Sequence, residues 1–252
     1  MARAALLALL GWFGAVAGAA TAQEITGAEF AAPTGRYPHG ALGDALEWGA
    51  LRITVGRRAR RAGGLFSGRL ELVYEFNLPD DLVFEDTVPR LWDVDGDGAP
   101  EVVVVQSQAG AGARLLIIGL TNGKPVFRAA TPFIGTRFRW LAPLGAADLD
   151  GDGRVEIAYV ETPHLGRVLK IVRLEGGRLS RVAELRGLTN HKFGDRYLQG
   201  GIANCDGRPT ILAANPDWTR VIAVTLDGGA LAARDHGPLS GPESLDPLRA
   251  CR

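Results

Sequence analysis

Two nine-residue stretches concentrate the acidic chemistry of this chain. Asp93-Val94-Asp95-Gly96-Asp97-Gly98-Ala99-Pro100-Glu101 and Asp148-Leu149-Asp150-Gly151-Asp152-Gly153-Arg154-Val155-Glu156 place carboxylates at the same four points of a shared frame. Carboxylates crowded this closely repel one another unless a hard cation sits among them, and an all-oxygen set of this kind is what Ca²⁺ takes. The expected ligands of the first loop are Asp93, Asp95, Asp97, the Ala99 carbonyl and Glu101. Those of the second are Asp148, Asp150, Asp152, the Arg154 carbonyl and Glu156. Gly98 supplies the sharp turn that lets such a set converge. Two calcium ions are therefore expected, one per loop. The alternative is an acidic hairpin turn without metal, since Asp-Gly pairs are ordinary turn chemistry.

The residues after each loop identify the element it opens. A helix-flanked calcium loop closes with a bidentate Glu at its twelfth position, but here that position is Val104 or Tyr159. The acid comes three residues earlier, and the runs Val102 to Val105 and Ile157 to Val160 are short, apolar and rich in β-branched residues. Both loops are thus expected to lead into strands.

The chain around them reads as one all-β domain. With 252 residues, 46% of them hydrophobic, and a formal charge of +0, it can bury a good core and shows no bias toward nucleic acid or anionic membranes. Thirty-four glycines and a single Met, without long helical periodicity, favour many short strands joined by turns. Residues 1–22 have the basic start, apolar stretch and Ala20-Thr21-Ala22 ending of an export signal, so a periplasmic or secreted product without stable membrane insertion is expected. In that setting Cys205 and Cys251 are expected to form a disulfide that ties the tail, 239–252, to the fold.

Internal periodicity turns the loops into an architecture. Units at about 36–87, 88–138, 139–194 and 195–238 each offer several strand-like segments, at a spacing of about 50 to 55 residues. In the second unit the segments are 88–94, 101–107, 114–120 and 125–130; in the third, 142–149, 156–161, 167–174 and 178–185. The fourth has 199–205, 210–214, 220–226 and 230–235, with a loop too short, and lacking the closing acid, to hold calcium. In the first, 51–55, 69–76 and 82–85 are read as outer strands and 37–46 as the inner one. A basic stretch, Arg57-Arg58-Ala59-Arg60-Arg61-Ala62-Gly63-Gly64, is read as a solvated hairpin tip, with a nucleic-acid patch as the alternative. A β-propeller of four four-stranded antiparallel blades is expected, or five if 24–33 contributes more.

The pattern D-x-D-x-D-G-x-x-E followed by an apolar strand resembles the FG-GAP and VCBS-type repeats of integrin α-subunit propellers and of many exported bacterial proteins. The resemblance is sharp at the two loops only. It implies that each loop joins the first and second strands of its blade, that calcium is bound, and that the protein frequently has an interaction role.

A second repeated feature precedes the loops: Arg36-Tyr37, Glu85-Asp86, Arg139-Trp140 and Arg196-Tyr197, with His39, His191 and Asp195 nearby. In a propeller these positions start the inner strands and would form a rim at the channel mouth. Such a rim suits a sugar or an anionic group, because aromatic faces stack and guanidinium groups grip oxyanions; alternatively the same residues bridge neighbouring blades. His39, Glu47, His191 and Asp195 are acid-base candidates for a hydrolase or lyase acting on carbohydrate, although no recognised catalytic motif contains them. The sequence reading is an exported calcium-binding module that binds or scaffolds a protein or glycan, with a propeller enzyme as the alternative.

Overall fold

The computed structural model describes residues 23–59, 68–205 and 207–248. They form antiparallel strands throughout, and the only helical element among them is a short 3₁₀ turn, Pro242–Leu245. A first meander comprises β1 (Gln23–Thr34), β2 (Glu47–Ala59) and β3 (Gly68–Asn77). Two short strands, β4 (Leu82–Phe84) and β5 (Arg90–Trp92), both pair with β6 (Glu101–Gln108), so they are the two halves of one interrupted strand. The sheet continues into β7 (Gly112–Thr121) and β8 (Lys124–Ala130). Next come β9 (Leu141–Ala147), β10 (Glu156–Glu161), β11 (Val168–Glu175) and β12 (Arg178–Arg186). The last group is β13 (Gly201–Cys205), β14 (Arg208–Ala214), β15 (Arg220–Asp227) and β16 (Ala230–Pro238).

The period-2 rule of strands explains how these groups stack. On β6 and β7, Val102, Val104, Leu116 and Ile118 face one way and pack with Ile25, Leu51, Ile53, Val55 and Phe84 of the first meander. Their neighbours Val103, Val105, Leu115 and Ile117 face the other way, onto Trp140, Leu141, Ile157 and Tyr159 of the third group. The alternation repeats on β10 and β14: Ala158 and Val160 join Ile211 and Ala213 in a third cluster. Leu212 and Ala214 turn to the far face of the last sheet, where Leu245 with Trp218 and Leu239 completes the packing. Middle strands are buried on both faces, which is why their sequences are nearly continuous apolar runs. The edge strands β12 and β16 have only one neighbour and are mostly exposed and polar.

Several expectations need correction. Hydrogen bonding gives sheets of eight, four and four strands, not four separate four-stranded blades. A Trp48–Phe84 bridge fuses the first meander to the second group, and no closed ring forms among the described residues. Residues 82–85 supply β4 to the second group instead of an outer strand to the first. The segment 37–46 is a loop, because Pro38 cannot donate to a ladder and Gly40 and Gly43 take positive φ (69° and 76°). Residues 24–33 instead lie within β1 and pair along β2. The expected strands of the third and fourth units coincide with β9 to β12 and β13 to β16 within a few residues. The export segment 1–22, part of the basic tip and Cys251 of the expected disulfide with Cys205 lie outside the described residues. No helix among the described residues is long and apolar enough to cross a membrane.

Candidate metal centre

Each acidic loop joins a first strand to a second: 93–101 runs from β5 to β6, and 148–156 from β9 to β10. Gly96, Gly98, Gly151 and Gly153 all take positive φ, which folds the carboxylates back over their own backbone. Asp93 accepts from the N–H groups of Gly96 (2.7 Å) and Gly98 (2.9 Å), and Asp148 accepts from Gly151 (2.8 Å) and Gly153 (2.9 Å). Asp95 and Asp150 accept from the N–H two residues on, at 3.3 Å in both loops. Glu101 and Glu156 reach back to the N–H groups of Val94 (3.1 Å) and Leu149 (2.8 Å). The two loops are therefore the same structure.

Carboxylate oxygens of Asp93, Asp95 and Glu101 lie within 4.8 Å of one another, as do those of Asp148, Asp150 and Glu156. Calcium–oxygen bonds of about 2.3–2.6 Å set oxygens on opposite sides of an ion about 5 Å apart, so these sets fit a divalent ion of that size. Asp97 and Asp152 stay outside the tight groups and accept from the Ala99 and Arg154 N–H groups instead. Burial pushes the Glu101 carboxyl up to about 7; Asp95 and Asp97 raise it too, against the lowering pull of the Val94 N–H and of Arg128. Glu156 is also raised by burial, with the Leu149 N–H and Arg173 opposing. A buried carboxylate of this kind stays charged only with a cation beside it, and otherwise takes up a proton.

The cations that the chain itself supplies differ between the loops. Arg128, half-exposed on β8, pairs with Asp95 at 3.1 Å. Arg173, buried on β11 directly across from Glu156, pairs with Glu156, with Asp152 at 3.1 Å and with Asp150 at 3.5 Å. By the same register, Gly119 stands where Arg173 would be in the first loop, against the Glu101 and Arg128 side chains. Spacing along the sequence could not reveal Arg173, because only strand register brings it to the loop.

The expected rim divides in two. The loop 35–46 between β1 and β2 crosses the starts of three later groups. The Tyr37 hydroxyl accepts from the Phe138 N–H at 3.0 Å, the His39 ring stacks on Phe138, and the Gly194 N–H donates to the Ala41 carbonyl at 2.9 Å. His39 Nδ1 binds the buried Glu85 carboxylate, which also accepts from the Ser107 hydroxyl. Trp140 Nε1 donates to the Glu85 carbonyl at 2.7 Å, and its ring meets His191 and His164. Asp86 is held by Arg90, and Arg36 donates to the Leu82 carbonyl. Apart from the local Asp86–Arg90 pair, these contacts bridge neighbouring groups. His191 Nε2–H donates to the Asp195 carbonyl, so its Nδ1 must accept from His164 Nε2–H at 2.8 Å. Arg139 is half-buried, whereas Arg196 and Tyr197 are exposed, the Arg196 stem lying beside Gly43 of the bridging loop.

Among the acid-base candidates, Glu47 and His191 are buried and His39 is engaged with Glu85, so only Asp195 reaches an open pocket. That pocket, of about 220 Å³, is lined by Tyr197, Gln199, Trp218, Lys192 and Asp195 beside the tail. Lys192 Nζ sits over the Trp218 ring at 4.7 Å. The sequence reading missed Trp218 and Lys192; an indole within the turn-forming run Asn215-Pro216-Asp217-Trp218 was the available signal.

Residues 93–159, which span both loops, match the family model of the FG-GAP-like repeat. No curated protein matches the chain. Among solved structures it is similar to the exotype rhamnogalacturonan lyase YesX, with a TM-score of 0.41, 15% identity, and 87% of this chain against 50% of that one. Rhamnogalacturonan lyase YesW aligns with a TM-score of 0.36 at 17% identity over 80% of this chain and 45% of that one. A Bacillus licheniformis rhamnogalacturonan lyase PL11 aligns at 0.38 and 16% over 77% and 44%. The chain spans about half the length of these structures.

Proposed function

With an FG-GAP-like repeat at residues 93–159 as the premise, we propose that the protein is an exported, calcium-binding, propeller-like module that binds or scaffolds a glycan or protein. Calcium in this reading is structural. The observation that carries it is the convergence of Asp93, Asp95 and buried Glu101 at the turn into the strand β6, which is buried on both faces. An ion there neutralises a carboxylate that otherwise sits in the protein interior and pins the interrupted strand β5 to β6. Support for a radial, propeller-like stack comes from the close approach of β9 and β13: a Cβ on Gly145 would lie 2.8 Å from Ile202 Cδ1. Export rests on the character of residues 1–22.

The ligand surface in this reading is the pocket of Tyr197, Gln199, Trp218 and Asp195, where aromatic faces and hydrogen-bonding groups suited to sugar hydroxyls stand together. At calcium about ten times a site's dissociation constant, occupancy adds on the order of 1.4 kcal/mol. Chelation is therefore expected to lower the melting temperature by about 3–5 °C for each filled site. Calorimetry with and without chelator tests the metal, and an unchanged melting temperature would overturn it. Titration of oligosaccharides against the protein and its Trp218→Ala variant tests the surface. Equal affinity in the two proteins would remove the pocket from the proposal.

A further inference from the structure

The two acidic loops share their backbone and their carboxylates but not their cations, and that difference separates their behaviour. In the second loop the Arg173 guanidinium already stands among the carboxylates, in contact with Glu156, Asp152 and Asp150 together. Its side chain is 8% exposed, and that of Glu156 0%. Arg154 adds a second guanidinium, bound to Asp152 at 2.6 Å and to Glu175 at 2.9 Å. The first loop has Gly119 at the matching position and only the half-exposed Arg128, which reaches one carboxylate.

We propose that Arg173 is a built-in cation that replaces calcium in the second loop, leaving 93–101 as the metal-responsive loop of the pair. The reason is geometric and electrostatic. Three carboxylates that share one guanidinium cannot also close around a divalent ion without displacing it, and displacement would strip this buried cation of its buried partner Glu156 and leave it only the half-exposed Glu175 at 3.8 Å, which is costly. A guanidinium is always charged and offers several donors in a fixed fork, so it can satisfy several carboxylate oxygens at once. One loop is thus locked by the chain itself and the other by a diffusible ion.

This inference rests on the calcium reading of the first loop, and the experiment separates the two. Calcium is titrated calorimetrically into the protein and into Asp95→Ala, Asp150→Ala and Arg173→Ala, with native mass spectrometry counting bound ions. The expected result is one ion per chain in the unaltered protein, none in Asp95→Ala, and one in Asp150→Ala with affinity changed less than about threefold. Arg173→Ala is expected to melt lower in chelator and to bind a second ion. Should that variant fail to fold, the unaltered protein and Asp150→Ala still decide. Two ions of similar affinity in the unaltered protein, or loss of binding in Asp150→Ala, would overturn the role of Arg173 and leave the calcium reading standing. No bound ion at all would overturn the calcium reading, and this inference with it.

Discussion

Glu47 is a buried acid that no guanidinium accompanies among the described residues, unlike Asp86 beside Arg90. It is 2% exposed, and burial, with Glu85, Asp44 and Asp86 nearby, pushes its carboxyl up to about 9. A folded value above the unfolded one means that Glu47 is protonated in the native state, so its contribution is complete at low pH and lost as pH climbs from about 4.5 through about 9. Glu47→Gln is expected to leave stability unchanged at pH 4 and to raise it by about 2–4 kcal/mol at pH 8, measured by urea unfolding. His164 works at the other end of the scale. Burial, then His191 and His39, pull it down to about 4, so it is neutral in the fold and costs stability as pH falls from about 6.5 to about 4. His164→Asn is expected to flatten that acid limb of the stability profile. At this scale the convergence of Asp93, Asp95 and Glu101, and of Asp148, Asp150 and Glu156, was legible because a turn with fixed spacing dictates where they point, whereas Asp97 and Asp152, expected with them, lie outside these sets. Arg173 and Phe138 were not legible, because each reaches its partners through strand register or a crossing loop.

The strands gain their stability from having a sheet on each side. Leu115 on β7 is fully buried between groups, whereas Leu70 on β3 is 55% exposed. Leu115→Ala is expected to cost about 2–5 kcal/mol in chemical denaturation, while Leu70→Ala should stay within about 0.5 kcal/mol. Close approach of β9 to β13 depends on a missing side chain at Gly145. Gly145→Val should cost about 1–3 kcal/mol by pushing against Ile202, and Ile202→Ala in the same chain should recover part of it, a coupling that a double-mutant cycle reads. The third and fourth groups could be read from sequence because alternating burial and Gly-rich turns fix their strands locally. The first group could be read only in part: 51–55 and 69–76 fall within β2 and β3, but its inner strand was misplaced. Pro38 and two left-handed glycines break the segment that the repeat spacing assigned to a strand, and the break between β4 and β5 hides one strand inside two.

Across the described residues, four groups of strands are stacked with an apolar cluster between each neighbouring pair. The final face is covered by the segment carrying Leu239 and Leu245. Ending the chain at Pro238 is expected to lower the melting temperature and promote self-association, seen by light scattering, because Leu212, Ala214 and Val221 lose their cover. That stacking was legible in outline, since repeated units imply repeated packing; how the row ends was not, because the terminal cover belongs to no repeat. The loop 35–46 ties this row together across its length, joining Ala41 to Gly194. During synthesis at about 5–20 residues per second, its last anchor is made roughly seven to thirty seconds after the loop itself. The opening hairpin therefore waits, half-engaged, until the chain through Gly194 is available to close against it.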